Sequence, residues 1–204
     1  MAGGAQGGEE RFMTALYLPP RIARSEAVRL FQRRRALNLF GLLRSRPVKC
    51  APDGQADSVE LVWMPAYAVK IGLSRGAQRS STWVSVDASF GGFALFEREG
   101  VLEEGEPAEE RFPAVMPAEK IEHIARQGLL KYVLRRRGAK AVIEETQDTF
   151  LYYQPVWVYY YYRWGKKIDL AVLDGYTGNI MGTQMRIAIV NALIDKRRQR
   201  LSSP

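Results

Sequence analysis

The chain of 204 residues has a single cysteine, Cys50, and a single histidine, His123. One cysteine cannot form a disulfide within the chain, and one histidine cannot by itself assemble a tetrahedral zinc site. We therefore expect no metal and no cofactor. Cys50 is interpreted as a buried or incidental thiol rather than as a nucleophile.

Long apolar runs are also missing, because no segment approaches the ~20 apolar residues that a membrane span needs. Residues 1–10 are mostly Ala and Gly with Gln and Glu, which is too polar for the apolar part of a signal peptide. These absences predict a soluble protein that stays in the cytoplasm.

The sequence shows no recognisable catalytic motif. A hydrolase or transferase needs a nucleophile with a base, paired carboxylates or a metal cluster. Residues 72–76 lack the Gly-Lys-Ser/Thr ending of a phosphate-binding loop. Asp87 and Asp174 fall in equivalent predicted turns, where a carboxylate usually accepts hydrogen bonds from its own backbone. We therefore predict that the protein is not an enzyme and has no small-molecule substrate.

Positive charge is in excess, with a formal net charge of +8 at pH 7. Such a charge attracts nucleic acid, anionic lipid and acidic protein surfaces alike. Basic residues crowd one early segment and acidic residues crowd the middle of the chain, so the two segments could also pair with each other. The basic set is Arg21, Arg24, Arg29, Arg33, Arg34, Arg35, Arg44, Arg46 and Lys49, and the acidic set is Glu97, Glu99, Glu103, Glu104, Glu106, Glu109 and Glu110.

The two halves of the chain carry similar motifs in the same order, which indicates an internal duplication. Pro65 and Pro155 lie 90 residues apart in one matched pair of segments, and Asp87 and Asp174 lie 87 residues apart in another. Changes in this separation are what loops of different length would produce. The matched segments are 10–12 with 110–112, 25–31 with 118–124, 63–69 with 153–159, and 84–91 with 171–178.

Composition then predicts the domain boundaries, because a Glu-rich stretch containing proline separates the two copies. An apolar fraction of 47% is enough for each copy to contribute to a core. The predicted parts are a flexible tail at 1–10, a first α+β module at 11–99, an acidic linker at 100–113, a second α+β module at 114–185, and a basic C-terminal helix with its tail at 186–204.

Local patterns predict a helix followed by strands in each copy. In the second copy Pro117 suits the first position of a helix and Gly138 its end. In the first copy Ser25 is a plausible N-cap. The predicted strands are 59–73, 82–87 and 92–97 in the first copy, and 141–145, 149–153, 156–163, 168–173 and 179–185 in the second. The predicted fold class is therefore α+β, with two tandem modules, each a helix packed on an antiparallel sheet.

The strand at 156–163 has no polar face. One face holds Val156, Val158, Tyr160 and Tyr162, and the other holds Trp157, Tyr159, Tyr161 and Arg163. One helix can cover only one face of a sheet, so the second face should be buried against the sister module, a second subunit or a different protein. Burial within the same chain is an equally open alternative. We predict that Trp157, Tyr159, Tyr161 and Arg163 bind a partner.

Residues 117–182, with Pro-Val-Trp-Val-Tyr at 155–159 and Asp-Gly-Tyr-Thr-Gly at 174–178, resemble the PepSY-type module of the wider cystatin-like α+β group. The resemblance implies a helix packed on an antiparallel sheet, with an Asp-x-x-Thr-Gly turn between the last two strands. The first half departs from it, because Phe90 stands where Thr177 precedes the glycine. The resemblance further implies a binding or regulatory module without chemistry of its own.

The leading interpretation is a non-catalytic accessory or scaffold protein, which binds a partner protein or self-associates through the aromatic strand face and the basic helices. The basic positions predicted to bind anionic groups are Arg29, Arg33, Arg34, Arg35, Arg197 and Arg198.

Two other functions remain open. Basic helices together with Tyr159 and Tyr161, which could stack on bases, would suit a nucleic-acid-binding protein. Peripheral membrane contact would use the first helix, where leucines and a phenylalanine at 37–43 accompany the arginines.

Overall fold

The computed structural model describes residues 15–36, 46–47, 58–96, 101–105, 109–135, 141–163 and 167–202. These residues form three helices and one mixed, open sheet of nine strands, so the predicted α+β class is confirmed. The helices are α1 (Arg24–Ala36), α2 (Ala118–Arg135) and α3 (Thr183–Ser202). The strands are β1 (Leu16–Tyr17), β2 (Arg46–Pro47), β3 (Val59–Arg75), β4 (Gln78–Asp87), β5 (Phe93–Leu95), β6 (Glu103–Glu104), β7 (Glu110–Arg111), β8 (Val142–Arg163) and β9 (Lys167–Asp174).

The centre of the sheet is the long antiparallel pair of β3 and β8, which runs from the Val59–Tyr159 pair to the Ser74–Val142 pair. The strand order is β5-β4-β3-β8-β1-β6, with β7 on β3 and with β2 and β9 on β8. The sheet is mixed because β1 pairs with β8, and β7 with β3, in parallel. Strands of both halves thus join one sheet.

Several predicted element boundaries are wrong. The three strands predicted between residues 141 and 163 are one strand, β8, of 22 residues. Residues 179–185 were expected to form a strand, but Ile180 makes only a single bridge to Leu173 and α3 begins at Thr183. Ser25 is not an N-cap, because α1 already begins at Arg24. Residues 164–166, where a turn is expected between the predicted strands 156–163 and 168–173, lie outside the described residues.

Pro65 and Pro155 sit inside the central strands without breaking them. The carbonyl of Pro65 accepts a hydrogen bond from the Ala88 amide (3.0 Å), and that of Pro155 from the Gly175 amide (2.8 Å). The missing N–H of each proline points to the same side as its carbonyl. On that side the strand next to β3 changes from β7 to β4 at Pro65. In the same way the strand next to β8 changes from β1 to β9 at Pro155. No ladder hydrogen bond is lost, which is the condition under which a strand tolerates proline.

Helices cover both faces of the sheet. On β3 the side chains of odd number, such as Val59 and Val69, pack under α1 and α2, whereas Val62 and Met64 pack under α3. Side chains alternate between the faces of a strand, so α3 lies on the face opposite to α1 and α2. The core of α1 is formed mainly with β8 and β9, and that of α2 with β3 and β4. Each of these helices therefore packs chiefly on strands of the other half of the chain.

Matched positions of the two halves lie opposite each other in the central strand pair. Trp63 pairs with Pro155 and Pro65 pairs with Tyr153, on either side of the Met64–Gln154 pair. In the sequence Trp63 is matched with Tyr153 and Pro65 with Pro155, so each residue lies opposite the match of the other. Two strands related by a two-fold axis between them show this arrangement. Residues 10–12, matched with 110–112 in the sequence, lie outside the described residues. The strand that stands in the equivalent position to β7 is β1.

The two predicted aspartate turns are confirmed. The Asp87 Oδ1 atom accepts hydrogen bonds from the amides of Ser89 (2.8 Å) and Phe90 (3.1 Å). The Asp174 Oδ1 atom accepts the same pair, from Tyr176 (2.8 Å) and Thr177 (3.1 Å). Each turn ends in a glycine of positive φ, 76° at Gly91 and 74° at Gly178. Glycine suits both places because other residues rarely adopt this backbone conformation.

Candidate binding surface

The aromatic strand face predicted to bind a partner is covered by α1. Trp157 is 7% exposed and Tyr159 is 3% exposed. The Trp157 indole N–H donates to the carbonyl of Ile22 (2.9 Å), and the ring of Phe31 stacks on Tyr159 with centroids 5.2 Å apart. Of the alternatives left open by the sequence, burial within the same chain is the one found for these two side chains.

The other two residues of this predicted site lie toward the end of β8. Tyr161 is half-buried, stacks on Tyr159 at 6.1 Å, and donates its hydroxyl to Asp169 (3.2 Å). Arg163 pairs with Lys167 in the sheet, and its side chain lies outside the described part of the structure. The structure thus brings Trp157, Tyr159 and Tyr161 together, but beneath or beside a helix.

The predicted anion-binding arginines belong to two distant helices. Arg29 is exposed on α1 and forms an ion pair with Glu26 at 3.2 Å. Arg33, Arg34 and Arg35 continue α1, and their side chains lie outside the described residues. Arg197 and Arg198 are exposed on α3. Because α1 and α3 lie on opposite faces of the sheet, these arginines do not form one continuous patch.

The outward side of α3 carries a line of uncovered apolar side chains. Ile187, Val190 and Ile194 are 53%, 38% and 45% exposed. Steps of three and four residues place side chains on one side of a helix. The opposite side of the helix buries Met185 and Ile189 in the core formed with β8 and β9. We call Ile187, Val190 and Ile194 the outer stripe of α3.

Arginines border the outer stripe. At 100° per residue, Arg186 and Arg197 lie on one side of the stripe and Arg198 on the other. Arg186 is 3.6 Å from Asp169, and Arg198 is 3.7 Å from Asp195 in a pair that is largely exposed to solvent. The exposed Arg198–Asp195 pair contributes little, so a partner's carboxylates can compete for Arg198. The stripe is therefore apolar with a positively charged border.

The sequence held a signal for the outer stripe that the prediction did not use. The apolar residues of this helix include Ile187 and Ile189, which are separated by about 160° around the helix axis. Two such residues cannot both face the sheet. The apolar residues of α3 therefore extend beyond the side that faces the sheet, and Ile187, Val190 and Ile194 on the outward side are left exposed.

A cavity of about 310 Å³ lies beside α3, between the helix and residues 110–115. Phe112, Ala188 and Ala192 give it an apolar lining, and Val115 at its edge is 73% exposed. Lys196 of α3 forms an ion pair with Glu110 of β7, which ties the helix to the other wall. On α3, Asn191 faces the cavity and also adjoins the outer stripe.

Asp87 and Tyr152 are two buried polar groups of the core that have hydrogen-bond partners, whereas the buried Oγ1 atom of Thr146 has none among the described residues. Burial raises the pKa of Asp87, and the amides of Ser89 and Phe90 partly oppose that shift. The second carboxylate oxygen of Asp87 accepts a hydrogen bond from Gln154 (3.3 Å). Burial also raises the pKa of Tyr152 to about 12, and its hydroxyl lies 2.8 Å from that of Ser85. These partners satisfy one another, as buried polar groups require.

In the residues that the structure describes, no group of three or more His, Cys, Asp or Glu side chains is placed to hold a metal ion. His123 is exposed on α2, with its Nε2 atom 2.8 Å from the side-chain amide of Gln127. None of the helices there has a stretch both long and apolar enough to cross a membrane. Cys50 lies outside the described residues.

Comparison with models of known protein families, with curated proteins and with solved structures finds no match. The PepSY-type resemblance of residues 117–182 therefore stays a prediction.

Proposed function

We propose that this chain is a non-catalytic accessory protein that binds a partner protein through the outer stripe of α3. The observation that carries the proposal is the exposure of Ile187, Val190 and Ile194 on one side of a helix. Covering apolar surface is favourable by roughly 25 cal/mol per Å², and an exposed apolar patch with a polar border is typical of an interaction site.

Charge favours an acidic partner. Arg186, Arg197 and Arg198 border the stripe, and the whole chain carries a formal net charge of +8. Complementary charge speeds the encounter of two proteins and disfavours partners of like charge. A second copy of this chain would bring the same positive border to the contact, so a different protein fits better than self-association.

The buried aromatics make nucleic acid a weaker candidate. Base stacking needs accessible rings, whereas Tyr159 lies under α1 and the side chains between the α3 arginines are aliphatic. The leucines proposed for membrane contact, at 37–43, lie outside the described residues. A partner protein is therefore the occupant that the exposed groups suit best.

The proposal includes an origin by duplication, with each half a copy of one helix-and-sheet module. Its support is a repeated set of contacts. The amide of Leu18 donates to the Tyr153 carbonyl (2.8 Å) and that of Phe112 to the Trp63 carbonyl (3.0 Å). The aspartate turn at Asp87 in the first half and the one at Asp174 in the second half repeat the same backbone hydrogen bonds. On this proposal α3 is an addition to the second copy, which suits it for a function that the paired modules lack.

The test is affinity capture with the full-length chain from native extract at moderate salt, with nuclease added to one half. A double variant, Ile187→Glu with Ile194→Glu, places two carboxylates in the stripe. Leu130→Glu with Leu134→Glu is the matched control, because these two exposed leucines lie on α2. Circular dichroism checks that both variants fold.

A protein identified by mass spectrometry should be retained by the native chain and by the α2 control. Its yield should fall about tenfold or more with the α3 variant, since central interface residues often contribute about 2 kcal/mol or more. Equal retention by both variants would contradict the proposal. Loss of the captured material after nuclease treatment would instead indicate nucleic-acid binding.

A further inference from the structure

We infer that the cavity beside α3 receives one bulky apolar side chain from an acidic helical segment of the partner. The inference rests on the proposed function of the outer stripe and adds a second contact to it. The cavity, of about 310 Å³, is at the lower end of the ~300–1,000 Å³ common for small-molecule sites. Its size suits a single large side chain.

The lining of the cavity selects a neutral group. Phe112, Ala188 and Ala192 contribute apolar surface, and Val115 leaves most of its side chain exposed at the edge. The charged residues at the cavity are balanced, with two cations and two carboxylates. Of these, Lys196 pairs with Glu110, and Asp195 pairs with Arg198. A charged side chain entering here would lose water and would meet charges of both signs.

The outer stripe and the cavity are neighbours around the helix. Asn191 adjoins Ile187 on one side and the cavity-lining Ala188 on the other, about 40° to 60° apart around the axis. The stripe spans about 10 Å along the axis, which is two helical turns. A helix lying along α3 therefore covers the stripe while one of its side chains enters the cavity, as in other complexes of a helix with a groove.

Charge around the contact defines the rest of the segment. Arg197, which has no ion pair within the described residues, and Arg198, whose pair is exposed, lie on opposite borders of the stripe. Glutamates on both flanks of the docked helix would meet these two arginines. The occupant is thus an amphipathic acidic helix with one bulky apolar anchor.

The test uses a synthetic fluorescein-labelled peptide of about 18 residues, with leucines at helical spacing, one central tryptophan and glutamates elsewhere. Fluorescence anisotropy measures its binding to the full-length chain. The comparison peptides replace the tryptophan with alanine or the glutamates with lysines.

Val115→Asp places a charge at the edge of the cavity. Val142→Asp is the matched control, because Val142 is similarly exposed on β8, away from α3.

The parent peptide should bind, and the lysine peptide should not. Removing the tryptophan should weaken binding about tenfold, and so should Val115→Asp, with little further loss when the two are combined. Val142→Asp should change nothing. The combined measurement identifies a shared contact, because the free-energy effects of two changes that remove the same contact do not add.

Other outcomes overturn the inference in distinguishable ways. Equal binding of the tryptophan and alanine peptides, or equal effects of Val115→Asp and Val142→Asp, would show that no side chain enters the cavity. The proposed contact at the outer stripe would still stand. Failure of every peptide, with extract capture still lost in the α3 double variant, would reject this partner chemistry and keep the proposed function. Stripe-dependent binding to vesicles containing phosphatidylserine, with no peptide binding, would identify a membrane surface instead.

Discussion

At the scale of single residues, two aspartates with the same local turn lie in different surroundings. Asp87 and Asp174 accept equivalent backbone hydrogen bonds, but Asp87 is buried and Asp174 is partly exposed. Gln154 reaches the second oxygen of Asp87, whereas Met64 holds the position matched to Gln154. The turn could be predicted from its sequence motif. The burial could not, because it depends on residues far away in the chain.

This difference leads to a prediction for Asp87→Asn. Burial raises the pKa of Asp87 above its ordinary value of 3.8, so the carboxyl stays protonated to a higher pH in the folded chain than in the unfolded chain. Stability from this group is present below the unfolded-state pKa and is lost as pH rises through the raised native pKa. Asparagine stays neutral, so the variant should gain stability relative to the native chain as pH rises across that interval.

Urea denaturation at a series of pH values measures the difference in unfolding free energy. Asp174→Asn is the control, because it changes the equivalent turn without the burial. If both variants showed the same pH-dependent difference from the native chain, burial of Asp87 would not be the cause.

At the scale of elements, the pairing of α1 with β8 decides the role of the aromatic face. The strand character of residues 156–163 and the absence of a polar face were readable from alternation. The helix that covers this face could not be predicted, because alternation along a strand shows that a face is apolar but does not identify what packs on it. Replacing Tyr159 with serine would therefore disturb the core first.

Phe31→Ala should destabilise the chain by about 3 to 5 kcal/mol, because it removes a buried ring that stacks on Tyr159 and leaves a cavity. The measurement is the urea midpoint at constant m-value. Leu130→Ala, at a half-exposed position on α2, should shift the midpoint far less. A midpoint unchanged by Phe31→Ala would show that α1 does not contribute to the folded core.

At the scale of the whole molecule, the pairing of β3 with β8 makes the two halves one folding unit. The longest strand of each half belongs to this pair, and α1 and α2 each pack chiefly on strands of the other half. Separate unfolding of one half would expose the core of the other. Two modules with separate cores, an arrangement that the repeat left open, would not have this property.

The full-length chain is therefore expected to unfold in a single transition. Tryptophan fluorescence, to which the buried Trp63 and Trp157 of the central strand pair contribute, and far-UV circular dichroism should give the same urea midpoint. Two resolved midpoints would show that the halves unfold independently. They would also contradict the shared sheet.

The sequence by itself determined the α+β class, the course of β3, the aspartate turns and the approximate positions of all three helices, because these depend on local propensity and periodicity. Only the tertiary structure decided that α1 buries Trp157 and Tyr159, that β8 continues through Pro155, and that Ile187 and Ile194 face away from the core. The reason is physical. Burial depends on which surfaces meet after the chain folds, and a repeated pattern of apolar residues marks a surface that needs cover without identifying what covers it.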